Sequence, residues 1–137
     1  MTGEKDLAKL LGGMRPRLQD QIYVFASIPS GEDLPSSIQP IMVFREAEGL
    51  TAILPASEAR EVGIDCAFRC RMITLEIHSS LEAVGFLAAI TARLAEAGIG
   101  VNPVSAFHHD HLFVPADKAD EAVAVLRELV AADRREA

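Results

Sequence analysis

The sequence is poor in the side chains that bind nucleic acids. Its 137 residues include no Trp, one Tyr and six Phe, so few rings are available to stack on unpaired bases. The 13 Lys and Arg are outnumbered by 20 Asp and Glu, which gives a formal net charge of −7. A field of that sign repels phosphate backbones. We therefore expect no nucleic-acid partner.

Long apolar runs are missing as well. The longest, residues 81–94, is interrupted by Glu82 and Arg93 and is shorter than the roughly 20 residues of a membrane-spanning helix. Residues 1–6 carry charges of both signs and lack the apolar core of a signal peptide. The sequence therefore predicts a cytoplasmic protein without a membrane partner.

Cysteine is scarce, and the two that occur are badly spaced for cross-linking. Cys66 and Cys70 fall in a predicted strand, where four residues span about 13 Å, too far for a disulfide or for a shared zinc ion. The sequence also shows no Gly-rich phosphate loop and no clear metal-ligand spacing. We expect free thiols, no metal and no cofactor.

The remaining composition is that of an ordinary globular protein, with 50% hydrophobic and 24% charged residues. The length suits one domain, or two small ones that share a core. Apolar periodicity and turn residues predict the order of the elements. They are helices at 6–11, 57–62, 79–97 and 118–131, and strands at 21–28, 41–45, 50–54, 67–77, 101–107 and 112–114.

The strand at 67–77 changes the phase of its alternation. Phe68, Cys70 and Met72 are the apolar set of its first half, whereas Ile73 and Leu75 belong to the apolar set of its second half. Two explanations are open. A bulge near Met72 would switch the buried face, or the strand serves two different cores.

An internal repeat divides the chain. Residues 54–61, Leu-Pro-Ala-Ser-Glu-Ala-Arg-Glu, align at an offset of 60 with residues 114–121, Val-Pro-Ala-Asp-Lys-Ala-Asp-Glu. Both copies predict a strand end followed by a helix, and a hairpin precedes each. We expect an N-terminal unit at residues 1–66 and a C-terminal unit at 67–137, joined by the strand at 67–77.

The order of elements in the second half, strand, helix, strand, strand, helix, begins the βαββαβ plan of ferredoxin-like α+β folds. The sequence does not show where this unit finds its last strand. The first half lacks the first crossover helix of the plan. We expect antiparallel sheets in both halves.

Four segments resemble ACT domains. They are Phe-Arg-Cys-Arg-Met-Ile-Thr-Leu at 68–75, His-Ser-Ser-Leu-Glu-Ala-Val-Gly at 78–85, Ala-Gly-Ile at 97–99 and His-Asp-His-Leu-Phe-Val-Pro at 109–115. The chain is similar to small bacterial tandem ACT-like proteins related to the regulatory domains of aspartate kinases. This resemblance implies two ACT-like units packed side by side and the binding of a small ligand, often an amino acid.

The candidate ligand site is the start of the long helix. Ser79-x-x-Glu82 has the pattern of a capping box, which predicts that the helix begins at Ser79, where free backbone amides favour a carboxylate. Alternatively, the box only satisfies the helix's own donors. An ammonium group would need carbonyls or a carboxylate nearby, and the start of the next strand could supply backbone groups and the Asn102 amide. The candidate ligand-binding residues are His78, Ser79, Ser80, Leu81, Val84 and Gly85, together with Ile99, Gly100, Val101 and Asn102.

The histidines at 108–111 are the other chemical candidate. If His109 and Asp110 formed a two-residue turn, His108 and His111 would face each other at about 5 Å and both could contact one metal ion. A third ligand is not evident, so a polar hairpin tip is the favoured interpretation. We assign no catalytic residue.

These observations predict a non-enzymatic regulatory protein that binds an amino acid and forms a homodimer. Two alternatives stay open. One is a small ferredoxin-like enzyme of the dimeric α+β barrel type that uses His78 or the histidines at 108–111. The other is an interaction module that binds no ligand.

Overall fold

The computed structural model describes residues 3–136, which fold around one antiparallel sheet of six strands. The helices are α1 (Leu7–Gly13), α2 (Ala56–Val62), α3 (Phe86–Glu96) and α4 (Ala119–Glu136), the last preceded by a 3-10 turn at Ala116–Lys118. The strands are β1 (Arg15–Pro29), β2 (Met42–Glu46), β3 (Gly49–Pro55), β4 (Cys66–Glu76), β5 (Asn102–Ser105) and β6 (Asp110–Pro115).

Strands β1 and β4 form the central pair of the sheet, whose order is β2-β3-β1-β4-β6-β5. In a ferredoxin-like unit the closing strand lies beside the first one. In the second half, β4 is the first strand and β1 occupies the closing position. In the first half, β1 is the first strand and β4 occupies the closing position. The last strand of the second unit therefore comes from the N-terminal part of the same chain.

The change of phase in the sequence of β4 is explained by burial of this strand on both faces of the sheet. Cys70 and Met72 are buried on one face of the sheet, and Ile73 and Leu75 are buried on the other. The strand keeps its regular alternation at this point and is buried on both faces, so the explanation by two cores is confirmed. One irregularity of the β1–β4 pairing does lie opposite Met72, but its extra residues, 19–21, belong to β1 and leave the alternation of β4 unchanged. Another lies where Phe68 has a φ of 63°.

All four helices lie on one face of the sheet. Helices α1, α3 and α4 cover β4, β6 and the first part of β1, and α2 with the loop at 30–41 covers the rest of β1 and β3. The main core residues are fully or almost fully buried. They are Leu10, Met14, Ile73, Leu75, Ile90, Leu94, Leu112, Val114 and Leu126 in the larger cluster, and Val24, Ala26, Ile28, Ile38, Ala52 and Leu54 in the smaller one.

The repeat at an offset of 60 has the same local structure in both copies. Pro55 ends β3 with φ −58° and ψ 134°, and Pro115 ends β6 with φ −52° and ψ 135°. Each proline is followed at once by a helical segment. The division of the chain at residue 66 stays a prediction. Within residues 3–136, no helix is long and apolar enough to cross a membrane.

The long helix of the second half begins later than the capping-box pattern predicts. Helix α3 starts at Phe86, so the predicted start at Ser79 is wrong. The reason is a long-range contact. The backbone of Glu4 donates to the His78 carbonyl and accepts from the Ser80 amide, both at 2.9 Å, which holds this segment extended.

Candidate ligand site

A cavity of about 180 Å³ lies between the β4–α3 loop, the first turn of α3 and the β5–β6 hairpin. A neighbouring hollow of about 230 Å³ shares part of the same loop and extends to Gly3 and Phe107. The cavity is lined by Ser79, Ser80, Leu81, Ala83, Gly85, Phe86, Leu87, Ala88, Ser105 and Asp110.

A buried polar pair forms one wall of the cavity. Ser79 Oγ donates a hydrogen bond to Asp110 Oδ2 over 3.3 Å, and the two residues are 9% and 7% exposed. Buried polar groups need partners, and a carboxylate needs them most. The pair therefore fixes the loop against the hairpin and directs a negative charge toward the cavity.

The opposite wall is the N-terminus of α3. Gly85 precedes the helix with a φ of 90°, and no side chain caps this end among the described residues. The backbone amides at the start of a helix have no acceptor within the helix, because the hydrogen-bond pattern begins only four residues on. Residues 85–88 line the cavity, which places these amides and their partial positive charge at its wall.

The structure brings together four of the ten residues proposed from the sequence. Ser79, Ser80, Leu81 and Gly85 line the cavity, whereas Val84 is 84% exposed beside it. The remaining residues lie outside its lining. They are His78, whose exposed ring is 6.0 Å from that of His108, Ile99 in the larger core, and Gly100, Val101 and Asn102 at and just before the start of β5.

Asp110 is the site residue that sequence reasoning missed. The sequence suggests a two-residue turn at His109 and Asp110, but the hairpin loop is Ala106 to His109, closed by a bond from the Ala106 amide to the His109 carbonyl at 3.0 Å. Asp110 is the first residue of β6 and pairs with Ser105. Its burial depends on Ser79, which is 31 residues away in sequence, so no local pattern could have shown it.

The histidines do not form the cross-strand pair that a two-residue turn at His109 and Asp110 would have produced. His108 is exposed in the hairpin loop, whereas His111 lies in β6 opposite Val104. His111 Nδ1 is 3.0 Å from Thr74 Oγ1. Burial lowers the pKa of His111, and nearby His109 lowers it further, against a smaller opposing effect of Asp110. Residues 3–136 contain no group of three or more His, Cys, Asp or Glu side chains placed to hold a metal ion.

The corresponding place in the first half is built differently. The offset of 60 aligns residues 45–50 with residues 105–110, and a hollow of about 320 Å³ lies between residues 45–50 and the end of β1. Leu50 stands where the second half has Asp110. A loop, and no helix, follows β1. The buried carboxylate and the facing helix therefore occur together only in the second half of the described chain.

Family comparisons agree with this architecture. Two ACT-domain family models match in tandem, one at residues 2–71 and the other at 67–128. The chain belongs to the ACT-domain family. Because ACT domains are regulatory domains, it is a tandem ACT protein of the regulatory type. No curated protein matches it in sequence.

Solved structures share this fold over most of the chain. A protein of unknown function from Vibrio cholerae is 40% identical, with a TM-score of 0.83, and the match covers 94% of this chain and 99% of that one. A protein from Agrobacterium tumefaciens is 16% identical, with a TM-score of 0.74 and coverages of 85% and 89%. The ligand-free regulatory subunit of aspartate kinase from Thermus thermophilus is 12% identical, with a TM-score of 0.64 and coverages of 83% and 95%.

Proposed function

We propose that this protein binds a free amino acid in the cavity between β4, α3 and the β5–β6 hairpin. The observation that carries this proposal is the buried Asp110 carboxylate facing the uncapped N-terminus of α3. An amino acid has one charge of each sign on neighbouring atoms. Its ammonium would lie near Asp110, and its carboxylate would accept bonds from the amides of residues 86–88.

The size of the cavity favours a small amino acid. A cavity of about 150 Å³ holds one molecule of the size of benzene, so about 180 Å³ leaves room for an amino acid with a short side chain. The apolar lining from Leu81, Ala83 and Leu87 suits a short side chain without charge. A bulky aromatic amino acid would have to extend into the neighbouring hollow beside Phe107.

Binding would regulate through the packing of the molecule. The β4–α3 loop contacts the N-terminal segment through Glu4 and the hairpin through Asp110. A ligand held between these parts stabilises one arrangement of the two units over others, because it binds that arrangement more tightly. We further propose that the protein acts as a cytoplasmic homodimer and has no catalytic activity of its own.

Thermal unfolding against each of the twenty amino acids tests the proposal. A ligand at 100 times its dissociation constant adds about 2.7 kcal/mol to the free energy of unfolding. We expect a small, chemically related group of amino acids to raise the melting temperature. Ala88 lines the cavity and is exposed, so Ala88→Trp should fill the site and abolish the shift.

The control variant is Ala92→Trp, one turn further along the exposed side of α3 and outside the lining of the cavity. It should keep the full shift. No response to any amino acid would contradict the proposal. A response to divalent metals that is lost when His78 or His108 is replaced by Ala would instead favour the enzyme, and the absence of both responses would favour the interaction module.

A further inference from the structure

A hollow of about 340 Å³ lies between α2 and the two central strands of the sheet. It is lined by residues 20–22 of β1, by Ala56, Ser57 and Arg60 of α2, and by Arg69 of β4. None of these residues lines the candidate ligand site in the second half of the chain. We call it the arginine hollow. Its volume falls within the range of about 300–1,000 Å³ that is usual for sites that hold small molecules.

A bulge of β1 forms one wall of the arginine hollow. Residues 19–21 stand opposite a single residue of β4. The Gln19 carbonyl accepts a bond from Arg71 Nε at 3.0 Å, and Asp20 Oδ1 lies 3.6 Å from an Nη atom of the same guanidinium. Bulges redirect the side chains around them and are frequent beside functional sites. This one is held in place by Arg71 and supplies Asp20 and Gln21 to the wall.

Strand β4 is also irregular beside the hollow, where it has one residue more than β1. Phe68 has a φ of 63° there, the single positive value at a residue other than glycine within residues 3–136. This backbone is unfavourable for a bulky residue, and residues strained in this way cluster at functional sites. Phe68 packs on Phe25 on the face of the sheet opposite the helices, with ring centroids 5.7 Å apart. The next residue, Arg69, lines the hollow beside α2.

The hollow carries positive charge, although the chain as a whole has a formal charge of −7. Arg60 and Arg69 are exposed, and no ion pair within residues 3–136 includes either of them. The lining includes one carboxylate, that of Asp20, and the guanidinium of Arg71 lies beside it. The charge of Asp20 is therefore balanced by Arg71, and the two lining guanidinium groups attract an anion to the hollow.

The internal repeat shows that the fold does not require this charge. The offset of 60 places Asp117 where the first half has Ser57, and Asp120 where it has Arg60. The second copy therefore carries two carboxylates in place of a hydroxyl and a guanidinium. Both copies nevertheless form the same strand end followed by a helical segment. The basic character of the first copy is thus a property of the hollow and is not needed to build the helix.

We propose that the arginine hollow binds a phosphate group, either as the free ion or as part of a small ester. A phosphate ester carries a charge of about −1.5 to −2 at neutral pH, which two guanidinium groups balance. Arginine donates paired hydrogen bonds that match the oxygens of a phosphate, and Ser57 adds a hydroxyl donor to the same wall. The hollow is separate from the amino-acid site, so the inference does not rest on the proposed function.

Titration calorimetry in a phosphate-free buffer without amino acids tests the proposal. The probes are inorganic phosphate and glycerol phosphate, and succinate and chloride at equal ionic strength serve as comparison anions. We expect the phosphate probes to bind and the comparison anions not to bind. Tighter binding of glycerol phosphate would identify an ester as the ligand, and tighter binding of inorganic phosphate would identify the free ion.

Arg60→Gln and Arg69→Gln should each raise the dissociation constant for phosphate about tenfold or more, because each removes charged hydrogen bonds. Both side chains are exposed, so the chain should still fold. The matched control is Arg45→Gln, which removes the same charge from an exposed position of β2 outside the lining and should leave the constant nearly unchanged.

Equal effects of all three substitutions would show only a general attraction of anions and would overturn the proposal. Absence of phosphate binding, or binding of succinate as tight as that of phosphate, would overturn it as well. Amino-acid binding is measured separately by thermal shift, so failure here leaves the amino-acid proposal standing.

Discussion

Ser79 and Asp110 are joined by a buried hydrogen bond of 3.3 Å that connects the β4–α3 loop to the first residue of β6. The same loop is held from its other side by the backbone of Glu4. The wall of the proposed site is therefore built from three parts of the chain that are distant in sequence. Its geometry depends on the tertiary fold, and not on the local pattern of residues 79–82.

Removing the Ser79 hydroxyl tests the importance of this bond for stability. Ser79→Ala leaves the buried Asp110 carboxylate without its Ser79 donor, so we expect a loss of about 1–3 kcal/mol in the free energy of unfolding, measured with urea. Ser80→Ala is the control, because within residues 3–136 Ser80 Oγ accepts a single bond, from the Glu82 amide in an exposed turn. Equal losses in the two variants would show that the buried Ser79–Asp110 bond contributes no more to the free energy of unfolding than the exposed bond of Ser80.

His111 should make stability depend on pH in a defined direction. Its pKa is lowered from the ordinary value of 6.5, mainly by burial, so the folded chain favours the neutral ring. Below about pH 6.5 the His111 ring is protonated in the unfolded chain, whereas in the folded chain it stays neutral until the pH reaches its lowered pKa. The contribution of neutral His111 to the free energy of unfolding is therefore complete above pH 6.5. It is lost as the pH falls from there through the lowered pKa of the folded state.

The measurement is the urea midpoint between pH 8 and pH 5 for the native chain and for His111→Gln. The variant should lose less stability toward pH 5 than the native chain. Titration of the other groups affects both proteins alike, so the difference between their two slopes of stability against pH reports His111. The matched control replaces His108, which lies in the exposed hairpin loop, by Gln. A native chain that grows more stable toward pH 5 relative to His111→Gln would reverse the sign and refute the assignment.

Elements defined by nearby residues could be predicted from the sequence. The β2–β3 hairpin, the end of α2 at Gly63 and the strand ends at Pro55 and Pro115 all follow from local turn chemistry and apolar alternation. The two-sided burial of β4 could also be inferred, as one of two explanations. These features need no knowledge of the partner strands.

Elements defined by distant partners could not be predicted in the same way. The polar first part of β1, residues 15–20, becomes a strand because part of it pairs with the last residues of β4. Ser79 has the sequence of a helix cap but lies in extended backbone because it pairs with Glu4. Asp110 has the sequence context of a turn residue, but in the fold it begins β6 and is buried against Ser79. In each case a long-range contact overrides the local preference.

The two thiols should differ strongly in reactivity. Cys66 is exposed at the start of β4, whereas Cys70 is fully buried and burial raises the pKa of its thiol to about 11. Only the thiolate reacts with disulfide reagents. At pH 8 we expect one thiol to react quickly and the second only after denaturant is added. Cys66→Ser should abolish the fast reaction, and fast labelling of Cys70 in that variant would contradict its burial in the sheet.

Gly49 is the position where the β2–β3 hairpin tolerates no side chain. Its φ is 146°, and a Cβ there would lie well inside contact distance of the Ile28 carbonyl oxygen, which belongs to the backbone of β1. Gly49→Ala must therefore distort the β1–β3 ladder, where Gly49 pairs with Pro29.

We expect Gly49→Ala to lower the free energy of unfolding by about 1–3 kcal/mol or more, measured with urea. Gly31→Ala provides the comparison, since Gly31 also has a positive φ of 87° but a Cβ there meets nothing within 4 Å. Its loss should be limited to the cost of the left-handed backbone, about 1 kcal/mol. If both variants lost the same stability, the close approach of Gly49 to Ile28 would have no energetic consequence, and the register of the hairpin against β1 would have to be fixed by other contacts.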